Sequence, residues 1–158
     1  MKSSVFKFFL CLMPVFLPTL SVAQTDLTSP AGLWTQIDDE TNKPRSLIRI
    51  EKKGEEYIGH IEKIFPLPNE EPREFCSKCK GEKKDKPLVG LQILWGLKDS
   101  GSKYEGGKIL DPKNGTEYRC KMELLDGGQK LRVRGFVGIS LLGRSQTWSR
   151  ATTEENTP

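Results

Sequence analysis

Helical periodicity is hard to find in this chain, because glycine and proline break it so often. There are 15 glycines and 10 prolines in 158 residues. Turn signals recur at roughly 8–12-residue spacing, an all-β pattern. Between them the side chains alternate. In Ser46–Glu51, Ile48 and Ile50 oppose Leu47, Arg49 and Glu51. After the Lys53-Gly54 turn, Glu56–Ile64 sets Tyr57, Gly59 and Ile61 against Ile58, His60 and Glu62. Leu88–Leu97 is more apolar and reads as a strand covered on both faces. Tyr104–Leu110 follows, then Asp111-Pro112-Lys113-Asn114-Gly115, whose Asn-Gly suits the positive φ of a tight hairpin. Glu117–Leu125 sets Tyr118, Cys120, Met122 and Leu124 against Arg119, Lys121 and Glu123. Asp126-Gly127-Gly128 turns the chain, Leu131, Val133 and Gly135 share a face, and Arg144–Arg150 ends the sheet.

With a first strand at Trp34 this makes about eight strands, enough to close an antiparallel up-and-down barrel without exposed edges. The two ends match: Gly32-Leu33-Trp34 opens the unit and Thr147-Trp148-Ser149-Arg150 closes it, as if at one seam. Apolar side chains on the inner face and charged ones outside fit a water-soluble barrel, whereas a membrane barrel turns its apolar face outward.

Residues 1–23 read as a cleaved secretory signal. Lys2 and Lys7 form the basic start, Phe8–Leu17 the apolar core, and Ser21-Val22-Ala23 the small-x-small site. The apolar run is short for a span and is interrupted by Pro14 and Pro18. Residues 24–151 are expected to form one barrel domain and 152–158 a frayed tail. Export places the protein in the periplasm or outside the cell. The formal charge of +4 includes two lysines of the signal, and the remaining basic residues are interspersed with acidic ones, as in Glu82-Lys83-Lys84-Asp85. That pattern speaks for a solvated surface and against a nucleic-acid partner.

One stretch breaks the rhythm. Pro66–Pro87 carries four prolines, many charges and Cys76-Ser77-Lys78-Cys79. A loop this long is uncommon in a compact domain, and it is expected to cover or gate one mouth of the barrel, with room for a short helix. In an oxidising compartment the default for Cys76 and Cys79 is a disulfide. A redox-active pair would sit at a helix N-terminus, and zinc would need Cys120 and His60 to converge on the loop. Cys120, on the face of Tyr118 and Met122, reads as a buried free thiol, and His60 as an outward residue. Asp38-Asp39-Glu40 reads as a polar turn. No metal, cofactor or nucleophile–base pair is expected, so the chain reads as a non-enzyme. Arg132, Arg134 and Arg144 lie near glycines; turned inward, they would suit a ligand carboxylate.

Two family likenesses lie in these residues. Gly32-Leu33-Trp34 with a late arginine resembles the lipocalin signature, in which the Trp plugs the closed end and an Arg packs across its ring. Trp34 matches the Trp and Arg150 the Arg, with Arg144 as the alternative. The whole unit resembles an exported bacterial family, domain of unknown function 2147. The matching pieces include Gly32-Leu33-Trp34-Thr35 with Asp38-Asp39, Cys76-x-x-Cys79 with Gly81, Lys84-Asp85-Lys86-Pro87-Leu88-Val89-Gly90 and Gly107-Lys108-Ile109-Leu110-Asp111-Pro112. Leu131-Arg132-Val133-Arg134-Gly135 and Gly143-Arg144-x-Gln146-x-Trp148-x-Arg150 complete it. The resemblance implies a lipocalin-like barrel in the cell envelope or outside, with no particular activity.

The expected function is binding of a small, mostly apolar ligand, fatty-acid-like or lipid-like, lined by Tyr57, Ile61, Tyr118, Met122, Leu124 and Val133. Inward glycines at Gly59 and Gly135 favour a cavity. The alternative is a barrel filled by its own side chains that serves as an envelope interaction or structural module.

Overall fold

The computed structural model describes residues 26–68 and 70–151. The signal-like segment 1–23 and the tail 152–158 lie outside the described residues. Eight strands form a closed antiparallel barrel in which each strand pairs with its sequence neighbours and the last returns to the first. They are β1 (Gly32–Ile37), β2 (Pro44–Lys53), β3 (Glu56–Ile64), β4 (Gln92–Asp99), β5 (Tyr104–Asp111), β6 (Thr116–Leu125), β7 (Lys130–Phe136) and β8 (Gly143–Arg150). Among the described residues no helix is long and apolar enough to cross a membrane.

The alternation read from the sequence sets which side chains enter the barrel. Ile48 pairs with Trp34 and with Ile61, Met122 with Val133, and Leu131 with Trp148. All are buried. The seam is narrow. Strands β1 and β8 register only at Trp34↔Arg150 and Thr35↔Ser149.

The first apolar run of the long connection departs from expectation. β4 begins at Gln92 rather than Leu88, because Gly90 adopts φ +85° and kinks the chain. Leu88 and Leu91 are nonetheless buried, as parts of the connection that packs on the barrel. Inside β4, Gly96 at φ +71° makes a bulge, so Leu94 and Leu97 both point inward. They fill the space that the inward glycines leave. A Cβ on Gly59 would stand 2.9 Å from Leu94 Cδ1, and one on Gly107 would stand 2.4 Å from Leu97 Cγ. The room expected at Gly59 is therefore occupied, and one half of the barrel is solid.

That half is also the closed end. The segment Asp26–Ala31 runs beneath it. The Trp34 indole N–H donates to Pro30 O at 2.8 Å, and Arg150 lies over the Trp34 ring at 4.3 Å. The Arg150 guanidinium donates to Gly128 O, Ala31 O and Ser29 O at 2.7, 3.0 and 2.8 Å. Burial lowers the Arg150 pKa, opposed by Asp26. Gly32, at φ +137°, passes so close that a Cβ there would meet Arg150 Nη1 at 2.7 Å. Tyr57 and Tyr104 complete the floor, edge to face with centroids 4.9 Å apart.

Candidate functional site

The other half of the barrel is open. β1, β3, β5 and β7 end there, and the connections 38–43, 65–91, 112–115 and 137–142 surround the mouth. A cavity of about 420 Å³ descends from it. Its buried lining is apolar, with Ile48, Ile61, Ile93, Leu110, Val133 and Trp148, and polar side chains share the walls toward the mouth. Gly135 also lines it. A Cβ on Gly135 would rest 3.3 Å from Ile109 Cγ2, with the cavity beyond it.

A polar chain runs up one wall. Ser46 Oγ donates to Gln36 Oε1 at 2.7 Å, and Gln36 Nε2 donates to Gln146 Oε1 at 2.9 Å. Trp148 Nε1 reaches the same Gln146 oxygen at 3.5 Å, and Gln146 Nε2 donates to Asp39 Oδ2 at 3.2 Å. The β1 and β8 strands have parted here, so these amide side chains hold the wall together where the backbone ladder has ended. Arg144 completes the chain by donating to Asp39. Burial acts to raise the Asp39 pKa, but the hydrogen bonds from Arg144 and Gln146 outweigh it and hold the carboxyl below its ordinary value. The same hydrogen bond raises Arg144. The pair sits at the rim, with the Arg144 side chain 72% exposed. A pair so exposed is weak and open to exchange.

The adjoining stretch of rim, on the β2 side of the same turn, is tied more firmly. Arg45 donates to both oxygens of Glu70, and Asp38 lies 3.8 Å from the same guanidinium. Asp38 also closes the β1–β2 turn by accepting from Glu40 N, Thr41 N and Thr41 Oγ1. Glu70 is held at about 2, first by Arg45 and then by the Leu67 N–H. The free carboxyl takes up its proton near 4.5. The folded chain therefore protonates Glu70 less readily than the unfolded chain, and the contact stabilises the rim above 4.5 and is lost as pH falls from there toward about 2. In an NMR titration the Leu67 amide resonance is expected to move only below the ordinary glutamate range, and Glu70→Gln should abolish that movement. A midpoint at the ordinary glutamate value would show that the Arg45–Glu70 tie does not persist in solution.

The long connection is not a free flap. Cys76 and Cys79 are disulfide-bonded and buried. Cys76 N–H donates to Lys86 O, Leu88 N–H to Glu74 O, Gly90 N–H to Ile61 O and Ile61 N–H to Leu91 O. The disulfide turn seats on the β5–β6 hairpin so closely that a Cβ on Gly115 would fall 1.8 Å from Lys78 O. A one-turn 3-10 helix at Gly81–Lys83 covers the outer face of β4, where Lys83 Nζ lies 3.5 Å from the Trp95 ring centroid. The expected gate is thus a strap on the wall. Of the strap, Pro66, Glu70–Arg73 and, near its end, Leu88 border the cavity.

The six side chains read from sequence as ligand-lining are divided by this geometry. Ile61, Tyr118 and Val133 line the cavity. Tyr57, Met122 and Leu124 point inward as read, but they lie in the half that Leu94 and Leu97 fill, outside the cavity lining. The alternation identifies the inner face and carries no signal of depth. Gln36, Ser46 and Gln146 were missed; their inward parity with Trp34, Ile48 and Trp148 was the available signal. Arg132 and Arg134 stay outside, bonded to Glu123 and to Ser140 O, Ser145 Oγ and Leu141 O. Arg150 lies at the closed end and Arg144 at the mouth. Cys120 is a buried free thiol, its pKa pushed up to about 12 by burial. Among the described residues no group of three or more His, Cys, Asp or Glu side chains converges on a metal position. A second depression, of about 320 Å³, lies among charged side chains such as Lys103, Lys121 and Arg132.

No curated protein matches the chain in sequence. In structure it is similar to protein HP1028 from the human pathogen Helicobacter pylori, described as belonging to the lipocalin family. The TM-score is 0.67 at 16% identity, over 84% of this chain and 87% of that one. At that identity the likeness is one of fold. Residues 32–150 match the model of a family described as uncharacterized protein conserved in bacteria, DUF2147, and the chain belongs to that family.

Proposed function

We propose that the barrel is an exported binding protein for a small, mostly apolar ligand with an anionic head, such as a fatty acid. The observation that carries this reading is the half-filled barrel. A solid floor supports a cavity of about 420 Å³, within the roughly 300–1,000 Å³ of small-molecule sites. The apolar body would rest on Ile48, Ile61, Val133 and Trp148. The head would take Arg144 from Asp39, exchanging one carboxylate partner for another. A fully filled barrel acting only as an interaction module lacks this open half. The polar side chains in the cavity bond to one another, which favours holding a ligand over turning one over. The Cys76–Cys79 disulfide is compatible with an oxidising compartment, periplasmic or extracellular.

Native mass spectrometry of the protein as purified, and again after incubation with a straight-chain fatty acid, tests the reading. A discrete added mass that is lost on unfolding is the expected result. A bare protein mass in both samples would overturn it.

A further inference from the structure

Four large apolar side chains stand in water beside the mouth. In the β7–β8 connection Val137, Ile139, Leu141 and Leu142 are 64%, 62%, 82% and 68% exposed. Val137 and Leu142 also border the cavity. Exposed apolar side chains clustered in this way mark an interaction site.

The carbonyls of this loop are already satisfied within the protein. Val137 N–H donates to Leu142 O and Leu142 N–H to Ile139 O. Arg119 donates to Gly138 O at 3.0 Å, and Arg134 to Ser140 O and Leu141 O at 2.8 and 3.2 Å. Every carbonyl from Gly138 to Leu142 therefore has a donor. Entering a medium without water normally strands such groups, at a cost of several kcal/mol each. Here that cost is removed for the carbonyls, and only the N–H groups of Gly138 to Leu141 are left for water or headgroups to meet.

The loop and the two strands that carry it bring only basic charge. No acidic residue occurs from Lys130 to Arg150, and Arg134 and Arg144 lie at the loop's end of the two strands, Arg144 paired with Asp39 of the β1–β2 turn. Two guanidiniums, Arg119 and Arg134, stand at the base of the loop itself, beneath its apolar tip.

We propose that the 137–142 loop is a membrane-docking tip, which inserts its apolar side chains into the surface of an anionic phospholipid bilayer. Arg119 and Arg134 would then meet the phosphates at headgroup depth. A bilayer fits better than a flat protein face. Neighbouring side chains exposed on most of their surface radiate around the loop, and a fluid apolar phase covers them from all sides. The mouth then faces the lipid, whatever the cavity holds. The proposal does not rest on the ligand reading, because vesicle binding reports docking alone.

Vesicle flotation of the full protein tests it. With vesicles of phosphatidylethanolamine and phosphatidylglycerol, the protein is expected to float. With pure phosphatidylcholine, binding should fall by about tenfold or more, as expected for lost attraction to headgroup charge. Ile139→Ser with Leu141→Ser should weaken binding to the anionic vesicles by about 100-fold, roughly tenfold for each apolar side chain removed from lipid. Leu141→Ser alone should give an intermediate loss, which keeps the test valid if the double variant folds poorly. Absence of flotation with anionic vesicles would overturn the proposal, as would equal flotation of the folded variants. Loop-dependent dimers in vesicle-free solution, without flotation, would assign the loop to a second copy instead and overturn it as well.

Discussion

Arg150→Ala is expected to lower folding stability by about 3 kcal/mol, with a fall in Tm on the order of 10 °C in thermal unfolding followed by circular dichroism. One guanidinium serves three carbonyls from two places: Gly128 in the β6–β7 turn, and Ser29 and Ala31 in the segment under the barrel. Its plane also covers Trp34. Alanine leaves those carbonyls without a donor and opens one face of a wholly buried indole. Arg150→Lys restores the charge but not the planar fork, so it should recover only part of the loss. Trp34→Ala should cost about 3–5 kcal/mol. The double variant should cost less than the two together by about 1 kcal/mol or more, because each single change already dismantles the shared contact. Additive losses would show that Arg150 and Trp34 act separately, contrary to the geometry.

The second large effect is on binding. Gly135→Leu is expected to reduce affinity for a fatty acid probe by about 100-fold, while stability changes by no more than about 1–3 kcal/mol. Gly135 has no positive φ to lose. Its Cβ position lies in tight but tolerable contact with Ile109 and Tyr118. A longer side chain there would extend into the volume the ligand needs. By contrast, Gly107→Leu would collide with Leu97 and with the backbone of Trp95, so it should unfold the closed half rather than report on binding. Titration of a fluorescent fatty acid into both proteins, with Tm measured in parallel, separates the outcomes. Unchanged affinity in a folded Gly135→Leu protein would place the ligand elsewhere.

Much of this fold is legible in the sequence because a strand's alternation is a direct record of its two faces. Tyr118, Cys120, Met122 and Leu124 are read inward and lie inward. The expected eight strands close as a barrel, and β3 has the bounds read for it, Glu56–Ile64. Depth along the barrel is not legible. Met122 and Val133 are cross-strand partners, yet Val133 lines the cavity and Met122 does not. What divides them is Leu94 and Leu97 entering from another strand through a glycine bulge, a long-range event with no local trace. The β4 boundary was misread for a similar reason, since Leu88 and Leu91 owe their apolar character to a strap packed on the wall. Polar residues that face inward, such as Gln146, escape a search keyed to apolar stripes.

The seam carries a mechanical consequence. Around most of the circumference, widening the mouth means tearing a backbone ladder. Between β1 and β8 it means parting Gln36 and Asp39 from Gln146 and Arg144, since the strands' own pairing ends at Thr35↔Ser149. The barrel is thus a sleeve stitched at its base and fastened above by a clasp of side chains. Stretching will concentrate along that line, while Trp34 and Arg150 keep the hem closed.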